Sequence, residues 1–73
     1  MNRKPSPKAI RSARIEAGLP IAEVARRAGV SEMTLYRLEK GIHTPRDYTV
    51  GRIARALGVP VTSLFEPEEQ TAS

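Results

Sequence analysis

The stretch Leu19–Gly41, LPIAEVARRAGVSEMTLYRLEKG, narrows the possible folds more than any other part of this chain. Ile21, Val24, Ala25 and Ala28 recur at helical spacing, and Leu35 and Leu38 do so again after a short break. The break carries its own punctuation. Gly29 supplies a left-handed turn residue, Ser31 is an N-cap, and Gly41 closes the second segment. The alanines of the first segment let the next helix approach closely at a steep angle, with Val30 filling the notch between them. The pattern therefore predicts two short helices joined by a tight turn.

The flanking sequence extends this to an all-α fold. A first helix is predicted over about Lys8–Ala17, ending at Gly18, with Ile10, Ala13, Arg14 and Ala17 on one stripe. Arg14 then lies among apolar positions, where a charge needs a partner. The second helix opens with Pro20 at its first position, and the third runs over about Glu32–Lys40. A fourth, about Tyr48–Leu57, buries Val50, Ile53, Ala54 and Leu57 and ends at Gly58; a short fifth, about Val61–Phe65, follows Pro60. Residues 8–65 thus form one compact five-helix domain. Its core draws on Ile10, Val24, Val30, Leu35, Leu38, Val50, Ile53, Leu57, Leu64 and Phe65. Residues 1–7, with two prolines and two cations, read as a flexible basic arm, and residues 66–73 as a disordered acidic tail.

Several function classes find no support in these residues. The chain has no Cys, so neither disulfides nor thiolate–zinc sites are available. His43 stands apart from any ligand cluster, and there is no nucleophile–base pair, carboxylate dyad or phosphate-cradling glycine loop. No enzyme, catalytic residue, cofactor or metal is expected. No apolar run is long enough for a membrane span, and the polar start lacks the apolar region of a signal peptide, so a cytoplasmic location is expected. All 12 Lys and Arg fall within residues 1–55, opposed there by only Glu16, Glu23, Glu32, Glu39 and Asp47. Such a balance suits a polyanionic partner. A helix pair of the spacing described can lay its second helix in the major groove of double-stranded DNA.

The chain resembles the Cro/C1-type (XRE-like) helix-turn-helix family of phage repressors and bacterial regulators, whose domain is λ-repressor-like. The resemblance spans about residues 8–65. It rests on Ile10, Arg14 and Gly18-Leu19; on Val24-Ala25 and Ala28-Gly29-Val30-Ser31; on Thr34-Leu35, Arg37-Leu38-Glu39 and Gly41; and on Pro45, Ile53-Ala54, Ala56-Leu57-Gly58-Val59 and Leu64-Phe65. It implies sequence-specific DNA binding by a transcriptional regulator, in the first place a repressor. It also implies an ion pair between Arg14 and Glu39, with phosphate contact as a second role for Arg14. Such a pair would meet the need for a partner noted above.

Glu32, Met33, Tyr36, Arg37 and Lys40 fall on the helix face opposite Leu35 and Leu38. The resemblance places the main base-reading positions at Glu32, Met33 and Arg37. Arg37 would take guanine O6 and N7, Glu32 a cytosine amine, and Met33 a thymine methyl. Tyr36 is a further base-reading candidate that alternatively lies along sugar-phosphate or is simply exposed. Glu32 alternatively complements the helix dipole, and Arg37 alternatively sits on a solvated face. Phosphate contacts are expected from Ser31, Thr34, Lys40 and the loop carrying His43, Thr44 and Arg46. Arg26 and Arg27 read as solvated charges. Where the family usually carries Ser-Gln or Asn-Gln, this chain has Pro20-Ile21, so one phosphate anchor is missing. A homodimer on a palindromic operator is expected, with Val61, Leu64 and Phe65 either forming its interface or completing the monomer core. The rival reading is a protein-interaction module, such as an antitoxin with a protein partner, for which DNA autoregulation is secondary.

Overall fold

The computed structural model describes residues 3–67. Four α-helices, α1 (Pro7–Glu16), α2 (Ile21–Ala28), α3 (Glu32–Glu39) and α4 (Asp47–Leu57), are followed by a 3-10 turn, Val61–Leu64. The expected fifth helix is thus four residues of 3-10 structure, too short to close a full α-helical ladder. Met1, Asn2 and most of the expected acidic tail, Glu68–Ser73, lie outside the described residues.

Local chemistry fixes the helix ends. The Ser6 hydroxyl accepts from the Ala9 N–H at 3.1 Å, and Pro7 occupies the first turn of α1, where its missing N–H costs nothing. Pro20 is an extended N-cap to α2 rather than its first helical residue. At Gly29 the backbone turns left-handed, φ 75°. The Val30 N–H then donates back to the Ala25 carbonyl at 3.0 Å, ending α2 in a Schellman closure. One residue later the Ser31 hydroxyl accepts from the Thr34 N–H at 3.0 Å and starts α3.

The core gathers Ile10, Val24, Ala25, Ala28, Leu35, Leu38, Val50, Ile53, Ala54, Leu57 and Leu64. Helix α4 packs on α2, α3 packs on α1 and α2, and the 3-10 turn packs on α1 and α4. Val30 and Phe65, expected inside, are only half-buried at the core margin. Ala17, the C-cap residue of α1, is exposed rather than on the buried stripe. Leu64 is 1% exposed within the monomer, which corrects its place among the dimer candidates; Phe65 packs beside it and Val61 stays 40% exposed.

The expected arm is also corrected in part. Over Lys4–Pro7 the backbone is tied down: Pro5 and Phe65 form an antiparallel bridge, and Ser6 caps α1. Among the described residues this isolated bridge is the one strand-like feature.

Candidate nucleic-acid interface

Arg14 and Glu39 meet as the resemblance implied. The carboxylate accepts from Arg14 Nε at 2.6 Å and Nη2 at 2.9 Å, and Nη1 donates to the Leu19 carbonyl at 3.0 Å. The two side chains are 15% and 4% exposed. A single guanidinium therefore joins α1, the α1–α2 turn and the C-terminal end of α3. Hydrogen bonding to Glu39 raises the Arg14 pKa further above its ordinary range. With three of its donors committed, Arg14 stands apart from the freely exposed phosphate candidates.

This clamp and the buried Leu35 and Leu38 hold the inner side of α3. Its outer side carries Glu32, Met33, Tyr36, Arg37 and Lys40, all exposed. Lys40 Nζ lies 5.5 Å from the Tyr36 ring centroid, a cation–π contact that restrains both side chains. Among the described residues Glu32 and Arg37 form no ion pair, so their polar groups are free for another molecule.

Beside this row runs an open groove of 430 Å³ lined by Ser31, Thr34, His43, Thr44, Arg46, Tyr48 and Thr49, among others. It brings the expected phosphate residues of the α2–α3 turn and the α3–α4 loop together; Lys40 lies outside it on the outer row of α3. Arg46 is the N-cap residue of α4; its guanidinium, a donor only, cannot cap the helix N–H groups, and among the described residues it forms no ion pair. The backbone N–H groups of the first turn of α4 open nearby. Tyr48 and Thr49 were not among the expected site residues. The available signal was Pro45-Arg46-Asp47 as a helix start, which puts the next two side chains on the same rim.

Arg26 and Arg27, expected as solvated charges, both pair with Glu23. Arg27 Nε donates to the carboxylate at 2.7 Å, and Arg26 donates through Nε and Nη2. These bonds, Arg26 first, hold the Glu23 carboxyl down to about 2. Among the described residues no cluster of three His, Cys, Asp or Glu stands ready to hold a metal ion, and no helix is long and apolar enough to cross a membrane.

A family model described as helix-turn-helix matches residues 10–64. An uncharacterized HTH-type transcriptional regulator of Methanothermobacter thermautotrophicus is 49% identical over 49 residues, which is 67% of this chain and 71% of that protein. The cryptic phage CTXphi transcriptional repressor RstR of Vibrio cholerae is 38% identical over 60 residues, 82% of this chain and 54% of the repressor. Among solved structures, SinR of Bacillus subtilis, the master regulator for biofilm formation, in complex with DNA, superposes with TM-score 0.75 at 27% identity. That match covers 80% of this chain and 94% of the SinR chain.

Proposed function

Because the chain belongs to the Cro/C1-type helix-turn-helix family, we propose that it regulates transcription, foremost as a repressor, by binding double-stranded DNA with α3 in the major groove. The observation that carries this reading is the outer row of α3: five exposed polar or soft side chains on a helix whose inner face is locked by packing and by the Arg14–Glu39 clamp. A reading helix must be rigid where it meets the protein and uncommitted where it meets the bases.

In this reading Arg37 donates to guanine O6 and N7, Glu32 accepts from a cytosine amine, and Met33 packs on a thymine methyl. Tyr36, restrained by Lys40, lies against the groove wall. Ser31, Thr34, Lys40, His43, Thr44 and Arg46 take phosphate oxygens, and Tyr48 and Thr49 extend that set. Glu32 weakens non-specific binding by repelling phosphate and returns that loss only at a site offering an amine. It therefore favours selectivity over strength.

One domain covers few base pairs, so two copies on half-sites about 34–36 Å apart form the functional unit. Val61 and the outer edge of Phe65 supply the apolar part of that dimer surface, and the complex works where the chromosome is, in the cytoplasm. Selection of bound duplexes from a random pool tests the proposal, followed by titration of the selected sequence against a scrambled one. The expected result is a palindromic consensus preferred by about 10³-fold or more; near-equal affinity for both duplexes would defeat the reading.

A further inference from the structure

Arg3 and Lys4 precede α1, Lys4 at the start of a held backbone segment and Arg3 immediately before it. The Glu66 N–H donates to the Lys4 carbonyl at 2.7 Å, and the Ser6 N–H donates to the Leu64 carbonyl at 2.8 Å. Between these bonds lies the Pro5–Phe65 bridge. Pro7, next in the chain, packs against the end of α3: a Cβ added to Gly41 would stand 3.6 Å from Pro7 Cγ. The result is a depression of 190 Å³ with Lys4, Pro5, Pro7 and the acidic Glu66 on one wall and His43 and Thr44 on the other. The second wall is the loop assigned above to phosphate. Arg3 and Lys4 are exposed, and among the described residues neither has a carboxylate partner.

We propose that Arg3 and Lys4 form an additional, sequence-independent phosphate contact flanking the α3–α4 loop, and that Leu64–Glu66 are its positioning element. The inference rests on the DNA-binding reading above. A free arm surrenders chain entropy when it settles on a duplex, whereas a segment already paired to the body of the domain has met that cost on folding. The C-terminal backbone thereby contributes to DNA affinity without touching DNA.

The test is an anisotropy titration of the full chain with its selected duplex between about 50 and 200 mM salt. Arg3→Ala/Lys4→Ala is expected to reduce the slope of log K against log salt by about 1.8, or about 0.9 for each phosphate no longer neutralised. Glu66→Pro deletes the N–H that bonds Lys4, and the extended Phe65 (φ −105°, ψ 155°) accepts a following proline. Glu66→Ala removes the same carboxylate but keeps the N–H. The proline variant is therefore expected to show a shallower slope than the alanine variant, approaching that of the double variant. Selected-over-scrambled preference is expected to persist in all of them. An unchanged slope in Arg3→Ala/Lys4→Ala, whose side chains lie outside the core, overturns the contact. Equal slopes for the two Glu66 variants, with helical circular dichroism intact, overturn the positioning role. A wild-type chain indifferent to duplex overturns this inference together with the proposed function; intact preference with unaltered slopes overturns this inference alone.

Discussion

Truncating Glu39 to alanine removes both oxygens that Arg14 holds at 2.6 and 2.9 Å, leaving its guanidinium with the Leu19 carbonyl as its remaining protein partner. Both side chains are largely shielded, at 15% and 4% exposure. Loss of one member of a buried pair costs about 3–5 kcal/mol, and the residual access of Arg14 to water places this site near the lower end. A domain of this length has a total stability on the order of 4–11 kcal/mol. At about 4–8 °C per kcal/mol, a loss of about 3 kcal/mol lowers the melting temperature by about 12–24 °C, readable by calorimetry. Arg14→Met/Glu39→Leu replaces both charges with apolar volume, and its stability is expected to return to within about 1 kcal/mol of wild type. Affinity for the selected duplex is not expected to return. With the bonds tying α3 to α1 gone, binding should remain weaker by about tenfold, equivalent to about 1.4 kcal/mol. A melting loss below about 4 °C in Glu39→Ala would refute the energetic argument. Wild-type duplex affinity in the double variant would refute the claim that the pair sets the reading helix.

Arg37→Ala should cost about 1–3 kcal/mol and relax the preference at one base position, measured by titration against a panel of single-base operator variants; equal weakening on every duplex would exclude base reading by Arg37. Lys40→Ala should weaken all duplexes alike and flatten the salt slope by about one, and an unaltered slope would remove Lys40 from the phosphate set. Glu23 titrates at about 2 in the folded chain against an ordinary 4.5. Its depressed folded pKa gives stability that is present above pH 4.5 and lost as pH falls toward 2. The melting temperatures of wild type and Glu23→Gln should therefore converge on acidification through that window, and a constant gap would contradict the ion-pair account.

The helix-turn-helix unit was legible because side chains and backbone gave the same instruction there. Ser31 as N-cap, Gly29 and Gly41 at the ends, and inward Leu35 and Leu38 all point to one geometry, and the structure has it. The isolated charge on the first stripe was a second legible feature, since Arg14 required a partner before any was visible. Other features left weaker traces. Proline suits both an N-cap and a first helical position, so Pro20 did not fix the start of α2 to the residue. Four residues after Pro60 cannot distinguish a 3-10 turn from the beginning of an α-helix by periodicity. The pairing of Lys4–Ser6 with Leu64–Glu66 is made by main-chain atoms over too short a run to impose any alternation, and Pro5 and Pro7 looked like marks of a loose segment. Tyr48 and Thr49 line the groove from the first turn of α4, which begins at Asp47, one residue before the expected start.

The hydrogen bond between Lys4 and Glu66 has a topological consequence: the polypeptide enters and leaves the domain side by side. A short peptide joining the two would make the backbone nearly a ring. New ends could then be opened at Pro60, which is exposed and follows the Val59 N–H that closes α4, without cutting any α-helix. In the natural order, by contrast, a bulky protein joined directly before Lys4 or directly after Glu66 would be delivered to the same edge, next to the α3–α4 loop. Such a fusion would shade the groove face from that edge, whichever side carried it.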